Sequence, residues 1–441
     1  MARAAWYRLD NVGKFYSAQA GRSAQTVFRI SSEMSEEIDP LILQAALDAT
    51  LETFPGFNVM LRSGLFWHYL EQSQEPLEVQ TEHLPICSPL QTHRLSTLTR
   101  VSYYGRRINV EVSHMISDGR GTLELFKMLL GNYVKMRYGI PDAVVSYEGT
   151  HEQKTEDSFS KNYERTASGK DSAPKPYRIR GWKDQAAPTF FEYHISSKTM
   201  HDLARSMGVS VTSLLITAII CAIRQTMPSS ERDHAIRMDV PVDLRRFFGS
   251  PTLRNFFGLA YIAYTPGPQD ESFAAIAAQV QDELSQATEP DVLKRRMNRM
   301  VKLEKDPLLR LAPLFLKDAV LGLAAKLTTR EVTTTISSLG IIHLPRSLEP
   351  FVRSISVLTS TTGINFVTCT FAEDMCIGIS SVFEDHNILR SLVAVLGEMG
   401  IHGTMSLNKD AFEVDEQLKQ AQLERKLTHI SRSWLESRRT P

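Results

Sequence analysis

Along Arg107–Ser113 apolar and polar positions alternate, and then the period changes. Ile108, Val110, Val112 and His114 share one parity, so an extended strand sends all four side chains to the same face. An imidazole therefore ends a row of β-branched residues. Ser117-Asp118-Gly119 follows as a turn signal. From Thr122 to about Arg137, Leu123, Phe126, Leu130, Tyr133 and Val134 recur at helical spacing. The pattern predicts strand, histidine, tight turn and helix, with His114-x-x-x-Asp118-Gly119 at the corner.

The same patterns organise the rest of the chain. Trp6–Phe15 carries bulky residues among charges and reads as a segment packed over the domain, with a substrate-contacting role as the second reading. Gln25–Ser31 reads as a strand. A helix starts at Asp39-Pro40, carries Leu43, Ala46, Leu47 and Leu51, and stops near Pro55. Phe57–Arg62 and Leu65–Glu71 form a hairpin closed by the two residues Ser63-Gly64, and Leu98–Tyr103 pairs with Ile108–His114 around Gly105.

Glu148–Lys175 has almost no aliphatic residues and reads as a solvated linker or mobile loop. It separates an N-terminal unit, 1–147, from a C-terminal unit, 189–441, with 148–188 between them. In the second unit, strands are expected at Phe190–Ser196, Ala235–Val242, Leu259–Tyr264, Thr333–Ser337, Val352–Leu358, Asn365–Phe371 and Met375–Ser381. Helices are expected at Lys198–Met207, Val209–Met227, Ser272–Gln286, Val292–Leu303, Leu308–Leu327 and Asn387–Met399. An amphipathic helix is expected beyond Lys409.

Composition narrows the function classes. A chain of 441 residues with 42% hydrophobic and 23% charged residues describes a globular protein of two ordinary domains. Lys+Arg and Asp+Glu both total 50, so no overall field favours nucleic acid or an anionic membrane. Val209–Met227 is too short for a bilayer span and reads as a core helix. No run of signal-peptide length opens the chain. The four cysteines lack metal-ligand spacing and read as reduced thiols; a Cys369–Cys376 bridge is geometrically open but unsupported. These observations point to a cytoplasmic protein.

Phosphate-binding loops, H-E-x-x-H and G-x-S-x-G are absent, so no metal site and no nucleophile elbow is expected. His114 is the histidine whose context positions it, and a neutral imidazole suits proton abstraction. Ser113 and Ser117 read as turn residues rather than nucleophiles. Asp118 could polarise the ring, cap the following helix or pair with an arginine. Gly119 would supply a backbone conformation closed to other residues.

These residues resemble the H-x-x-x-D-G acyltransferase superfamily, which contains chloramphenicol acetyltransferase, alcohol acetyltransferases and peptide-synthetase condensation domains. HMISDG carries the motif. PVDLRRFFGSPTLRNFFG at Pro241–Gly258, SSLGIIHLP at Ser337–Pro345, WYRLDNVGKF and ISSVFEDHNI are similar to segments of bacterial alcohol-acetyltransferase-like proteins. The order covers nearly the whole chain. Ser113 stands where many condensation domains have a first histidine, the plant D-F-G-W-G element is missing, and Ser338 replaces an expected asparagine.

The resemblance implies an α/β fold of two chloramphenicol-acetyltransferase-like subdomains with a tunnel at their interface. His114 would be general base toward an alcohol or amine, which attacks an acyl thioester directly. Asp118 and Gly119 would be structural, with Arg245 the first choice as ion-pair partner and Arg246 and Arg254 behind it. Ser337, Ser338 and Asn255 are candidate oxyanion or substrate contacts. Acyl-CoA is the expected co-substrate, with no permanently bound cofactor. A free-standing condensation enzyme using an acyl carrier protein, or a non-catalytic binding protein of the same fold, are the alternatives.

Overall fold

The structure, a computed structural model, describes residues 5–19, 26–90, 95–143, 145–165, 174–266, 271–306 and 311–407. Fifteen strands are formed among these residues: β1 (Trp6–Arg8), β2 (Val27–Met34), β3 (Val59–Ser63), β4 (His68–Gln72), β5 (Val79–Thr81), β6 (Thr99–Tyr104), β7 (Arg107–Ser113), β8 (Thr189–Ser196), β9 (Ile236–Asp243), β10 (Phe257–Tyr264), β11 (Thr334–Ile342), β12 (Val352–Thr359), β13 (Ile364–Phe371), β14 (Asp374–Ser381) and β15 (Gly403–Leu407). The helices are α1 (Asn11–Ser17), α2 (Pro40–Thr53), α3 (Gly119–Tyr138), the single turns α4 (His151–Lys154) and α5 (Ser158–Lys161), α6 (Ser197–Ser206), α7 (Val211–Thr226), α8 (Arg245–Phe248), α9 (Phe273–Ala287), α10 (Pro290–Glu304), α11 (Leu314–Thr329) and α12 (Asn387–Glu398).

The first large sheet runs β12-β2-β7-β6-β5, and its centre is the patterned strand β7. Ile108, Val110 and Val112 are fully buried against α2 and α3. The hairpin to β6 turns through Gly105-Arg106, where Gly105 takes a left-handed φ of 52°. The opposite face of β7 is also covered, so its polar residues need partners. Glu111 accepts from Arg29 and Arg100, and Asn109 accepts from Ser31. Asp118 caps α3, and Gly139 ends it in the left-handed conformation.

The second sheet runs β10-β9-β11-β13-β14-β8-β15. The apolar stretch around residues 211–226 is the buried helix α7, packed with α12 on this sheet. Among the described residues no single helix is long and apolar enough to cross a membrane. β1, β4 and β3 make a small third sheet.

Several expectations need correction. Strand β12, expected within the 189–441 unit, pairs antiparallel with β2 of the first sheet, placing Val357 opposite Ile30. It covers an edge that β2 would otherwise leave open, and it buries Ile355 and Val357 in the N-terminal core. The described part of 148–188 is anchored rather than solvated throughout. Thr150 and Gln153 form a capping box, and Phe159 is fully buried edge-on to Phe256, with ring centroids 5.2 Å apart. Backbone carbonyls of Lys154 and Glu156 also accept from Leu253 N–H and Thr252 Oγ1, so the segment is docked by hydrogen bonds as well as by one aromatic ring.

The β3–β4 loop is Gly64–Trp67 rather than two residues, because Leu65 and Phe66 are exposed and Ser63 pairs with His68. Helix α11 begins after Pro313, which precedes its first turn, as a residue without an N–H can. All four cysteines are free, although Cys369 and Cys376 lie opposite each other across β13 and β14. The sequence pattern gave no sign of β15. The expected helix beyond Lys409 lies outside the described residues.

Candidate active site

His114 follows the last residue of β7, and both backbone groups are pinned. Its N–H donates to the Thr26 carbonyl at 2.7 Å, and its carbonyl accepts from Asn255 Nδ2 at 2.8 Å. The imidazole lies between two aromatic rings. Tyr16 stacks on it with centroids 5.0 Å apart and 16° between planes, and Phe28 tilts against it at 4.5 Å. Nδ1 is buried without a partner. Burial pushes the imidazole down to about 4, against the smaller upward pull of the Asp118 charge. The ring is therefore neutral near pH 7.

Asp118 does two of the three things open to it. Its Oδ1 accepts from Gly121 N–H at 2.8 Å, which caps α3, and from Arg245 Nη2 at 3.0 Å. Its Oδ2 accepts from Arg245 Nη1 at 3.0 Å and from Phe256 N–H at 2.8 Å. The buried pair is thus bidentate. Arg245 also donates to Asp243 and to the carbonyls of Thr252 and Arg254. Burial would lower the guanidinium's pKa, but Asp118 and Asp243 outweigh it and hold the group charged. Of the other two arginines, Arg246 lines the cavity, and Arg254 turns to the Ile116 carbonyl and the Tyr7 ring.

Gly119 has no left-handed φ, contrary to the conformational role expected for it. What it provides is room: a Cβ there would come 2.9 Å from Leu339 Cδ2 of β11. Gly121 is tighter, since a Cβ would lie 2.2 Å from the Leu253 carbonyl oxygen. Ser117 Oγ donates to that same carbonyl at 2.6 Å.

Asn255, a candidate substrate contact, is fully buried and does not line the cavity. Its amide is committed to the His114 carbonyl and to Asp10, whose Oδ2 it reaches at 3.0 Å. Asp10 caps α1, and burial raises its carboxyl to about 7. Ser337 and Ser338 do reach the cavity wall, on β11, where Ser338 Oγ also accepts from Gly340 N–H.

The cavity has a volume of about 1350 Å³ and takes its walls from both large sheets. His114 and Phe28 face it from the first sheet, Tyr16 from α1, and Asp239, Thr335 and Ser337 from the second. Among the described residues no group of His, Cys, Asp and Glu is placed to hold a metal ion. Tyr16, Phe28, Asp10 and Asp239 were not singled out by sequence reasoning. The signal for Tyr16 and Asp10 was the aromatic-rich opening segment with its capping aspartate.

Residues 195–350, short of half the chain, match the family described as the phthiocerol/phthiodiolone dimycocerosyl transferase C-terminus. No curated protein sequence matches the chain. Among solved structures, polyketide synthase associated protein 5 from Mycobacterium tuberculosis is 15% identical with a TM-score of 0.59, over 90% of this chain and 98% of that one. The starter condensation domain of rhizomide synthetase, crystallised with C8-CoA, is 11% identical with a TM-score of 0.60, over 90% and 94%. The trichothecene 15-O-acetyltransferase of Fusarium sporotrichioides is 11% identical with a TM-score of 0.60, over 90% and 95%. The chain has the fold these condensation domains and acyltransferases share.

Proposed function

We propose that this chain transfers an acyl group from a CoA thioester to an alcohol or amine, with His114 as general base. The observation that carries this is a neutral, rigidly held imidazole facing a cavity of about 1350 Å³. The acceptor gives its proton to the imidazole as its oxygen or nitrogen bonds the thioester carbon. Collapse of the adduct breaks the C–S bond, and the imidazolium returns the proton to the departing thiolate. No covalent enzyme intermediate is needed. Ser113 and Ser117 are turned to backbone groups, and burial pushes the thiols of Cys87, Cys369 and Cys376 well above the ordinary thiol range.

Asp118 and Arg245 act on structure rather than on substrate in this scheme, because their hydrogen-bonding groups are spent on each other and on the turn. Ser337 and Ser338 are the hydroxyls proposed to meet the developing oxyanion. The fold supports acyl transfer in general, and a related domain crystallised with C8-CoA supports CoA as donor.

A panel of acyl-CoA donors assayed by free-thiol release, with and without alcohols and amines, tests the reading. His114→Ala is expected to lower acceptor-dependent release by roughly 10²–10⁴-fold with the circular dichroism spectrum intact. Undiminished turnover would remove His114 as the base. Repeating the assay with an acyl carrier protein in place of CoA separates the two donor classes.

A further inference from the structure

One carboxylate on the cavity wall has no role in the scheme above. Asp239 lies on β9, opposite Tyr261 of β10 and beside Thr335 of β11, and all three side chains line the cavity. Along this strand the neighbours Met238 and Val240 belong to the hydrophobic core. Thr335 Oγ1 donates to Asp239 Oδ1 at 2.5 Å and fixes the carboxylate on the wall. Asp239 shares this cavity with His114 and with Tyr16, whose ring stacks on His114.

Among the described residues no lysine or arginine forms an ion pair with Asp239. Arg237, two positions earlier on the same face, pulls the carboxyl down through its charge, but its own contacts are the Glu331 carbonyl at 3.0 Å and the Tyr261 ring at 4.7 Å. Burial raises the Asp239 carboxyl to about 6, which leaves it anionic near pH 7.5. An apolar ligand placed here would strip water from that anion and supply nothing in return. A ligand cation would supply a direct ionic partner and a charge-assisted hydrogen bond.

We propose that Asp239 anchors a protonated amine on the acceptor, so that the acceptor is an amino alcohol or a diamine rather than a neutral alcohol. The inference rests on the acyl-transfer reading of the cavity. The ammonium held at Asp239 keeps its proton and does not react. The second hydroxyl or amino group of the same molecule is delivered to His114. Neutral alkanols of equal length are disfavoured by the stripped carboxylate, which makes the site selective by exclusion as well as by attraction.

The test compares amino alcohols, from 2-aminoethanol to 6-amino-1-hexanol, with alkanols of matched length on the full chain. Thiol release from acetyl-CoA and octanoyl-CoA reads turnover, and calorimetry reads binding independently of turnover. For the best-fitting length, kcat/KM and affinity are expected to favour the amine by at least about tenfold near pH 7.5. Asp239→Asn should bring that ratio close to one, and Asp239→Glu should restore part of it. Thr335→Val, which frees the carboxylate without removing it, should lower the ratio partially and guards against a misfolded Asp239→Asn protein.

Equal handling of amines and alkanols, failure of the amines to bind, or a preference that survives in Asp239→Asn overturns the anchor. Alkanol turnover without amine preference would sink the anchor and keep the transfer reading. Asp239-dependent amine binding without thiol release from any donor would do the reverse.

Discussion

His114 is weakly basic because of what surrounds it. Tyr16 stacks on the ring and Phe28 tilts against it, and burial of the charged form outweighs the upward pull of the Asp118 charge and of the hydrogen bonds to Asn255 and Ser117. The neutral form is the one that accepts a proton, so activity is lost as pH falls through the imidazole pKa. The acid limb of kcat/KM is expected near 4 rather than near the ordinary histidine value. Tyr16→Ala admits water to one face and should move that limb upward, toward about 6.5. A pH–rate profile unchanged by Tyr16→Ala would show that stacking does not set the pKa. Stability follows the same group. Between about 4 and 6.5 the unfolded chain binds the extra proton and the folded chain does not, so this contribution is full above about 6.5 and is lost as pH falls toward 4. Relative to His114→Gln, the wild type should lose up to roughly 3 kcal/mol across that window, read from urea midpoints.

At the scale of elements, the turn between β7 and α3 is built by residues from distant segments. Arg245 closes on Asp118, Leu253 lends its carbonyl to Ser117, and Asn255 holds the carbonyl of His114. Arg245→Ala leaves a buried carboxylate with two backbone donors and no counter-charge, and should cost about 3–5 kcal/mol in urea unfolding and most of the activity. A second charge removed in the Asp118→Asn, Arg245→Ala double variant should recover part of that stability. Parity along 108–114 and the spacing from Leu123 to Val134 made β7 and α3 legible, because both patterns are local. Asp118 as a cap was legible for the same reason. The Asp118–Arg245 pair came from resemblance, since no local pattern joins residues 127 apart in the chain. Asn255 was misplaced because an asparagine amide suits a substrate and a backbone carbonyl equally well, and only tertiary structure decides between them. Gly121 was passed over, since nothing in its neighbourhood announces the Leu253 carbonyl against it. Leu65 and Phe66 misled for the opposite reason: apolar type suggested strand, while the structure leaves both exposed in a loop.

Across the whole molecule, the two large sheets are tied together rather than merely adjacent. β12 pairs with the first sheet while packing on the second, where Gly378 of β14 admits the Val357 carbonyl so closely that a Cβ would lie 1.9 Å from its oxygen. Arg107 of β7 and Ser356 of β12 both bond Glu192 of β8, and Arg107 with these hydrogen bonds overcomes the effect of burial to hold that carboxyl well below the usual range. Gly378→Ala should force this junction apart and cost about 2 kcal/mol or more, measured as a loss of urea midpoint together with weaker acceptor turnover. A neutral outcome would mean that β12 can shift without disturbing the cavity. The exchanged strand also sets an order of events during synthesis. Ser360, which bonds Val27, emerges 333 residues after it. Until then the nascent first sheet carries β2 as a bare edge, open to pairing with another chain. Fragments that stop short of residue 352 should therefore self-associate more readily than the whole chain, and the histidine turn in them would have no Arg245 or Asn255 unless translation had already passed 255. Closure of the β7–α3 corner should therefore come late in the life of the polypeptide, because the contacts that build it have long sequence separation and are correspondingly slow to form.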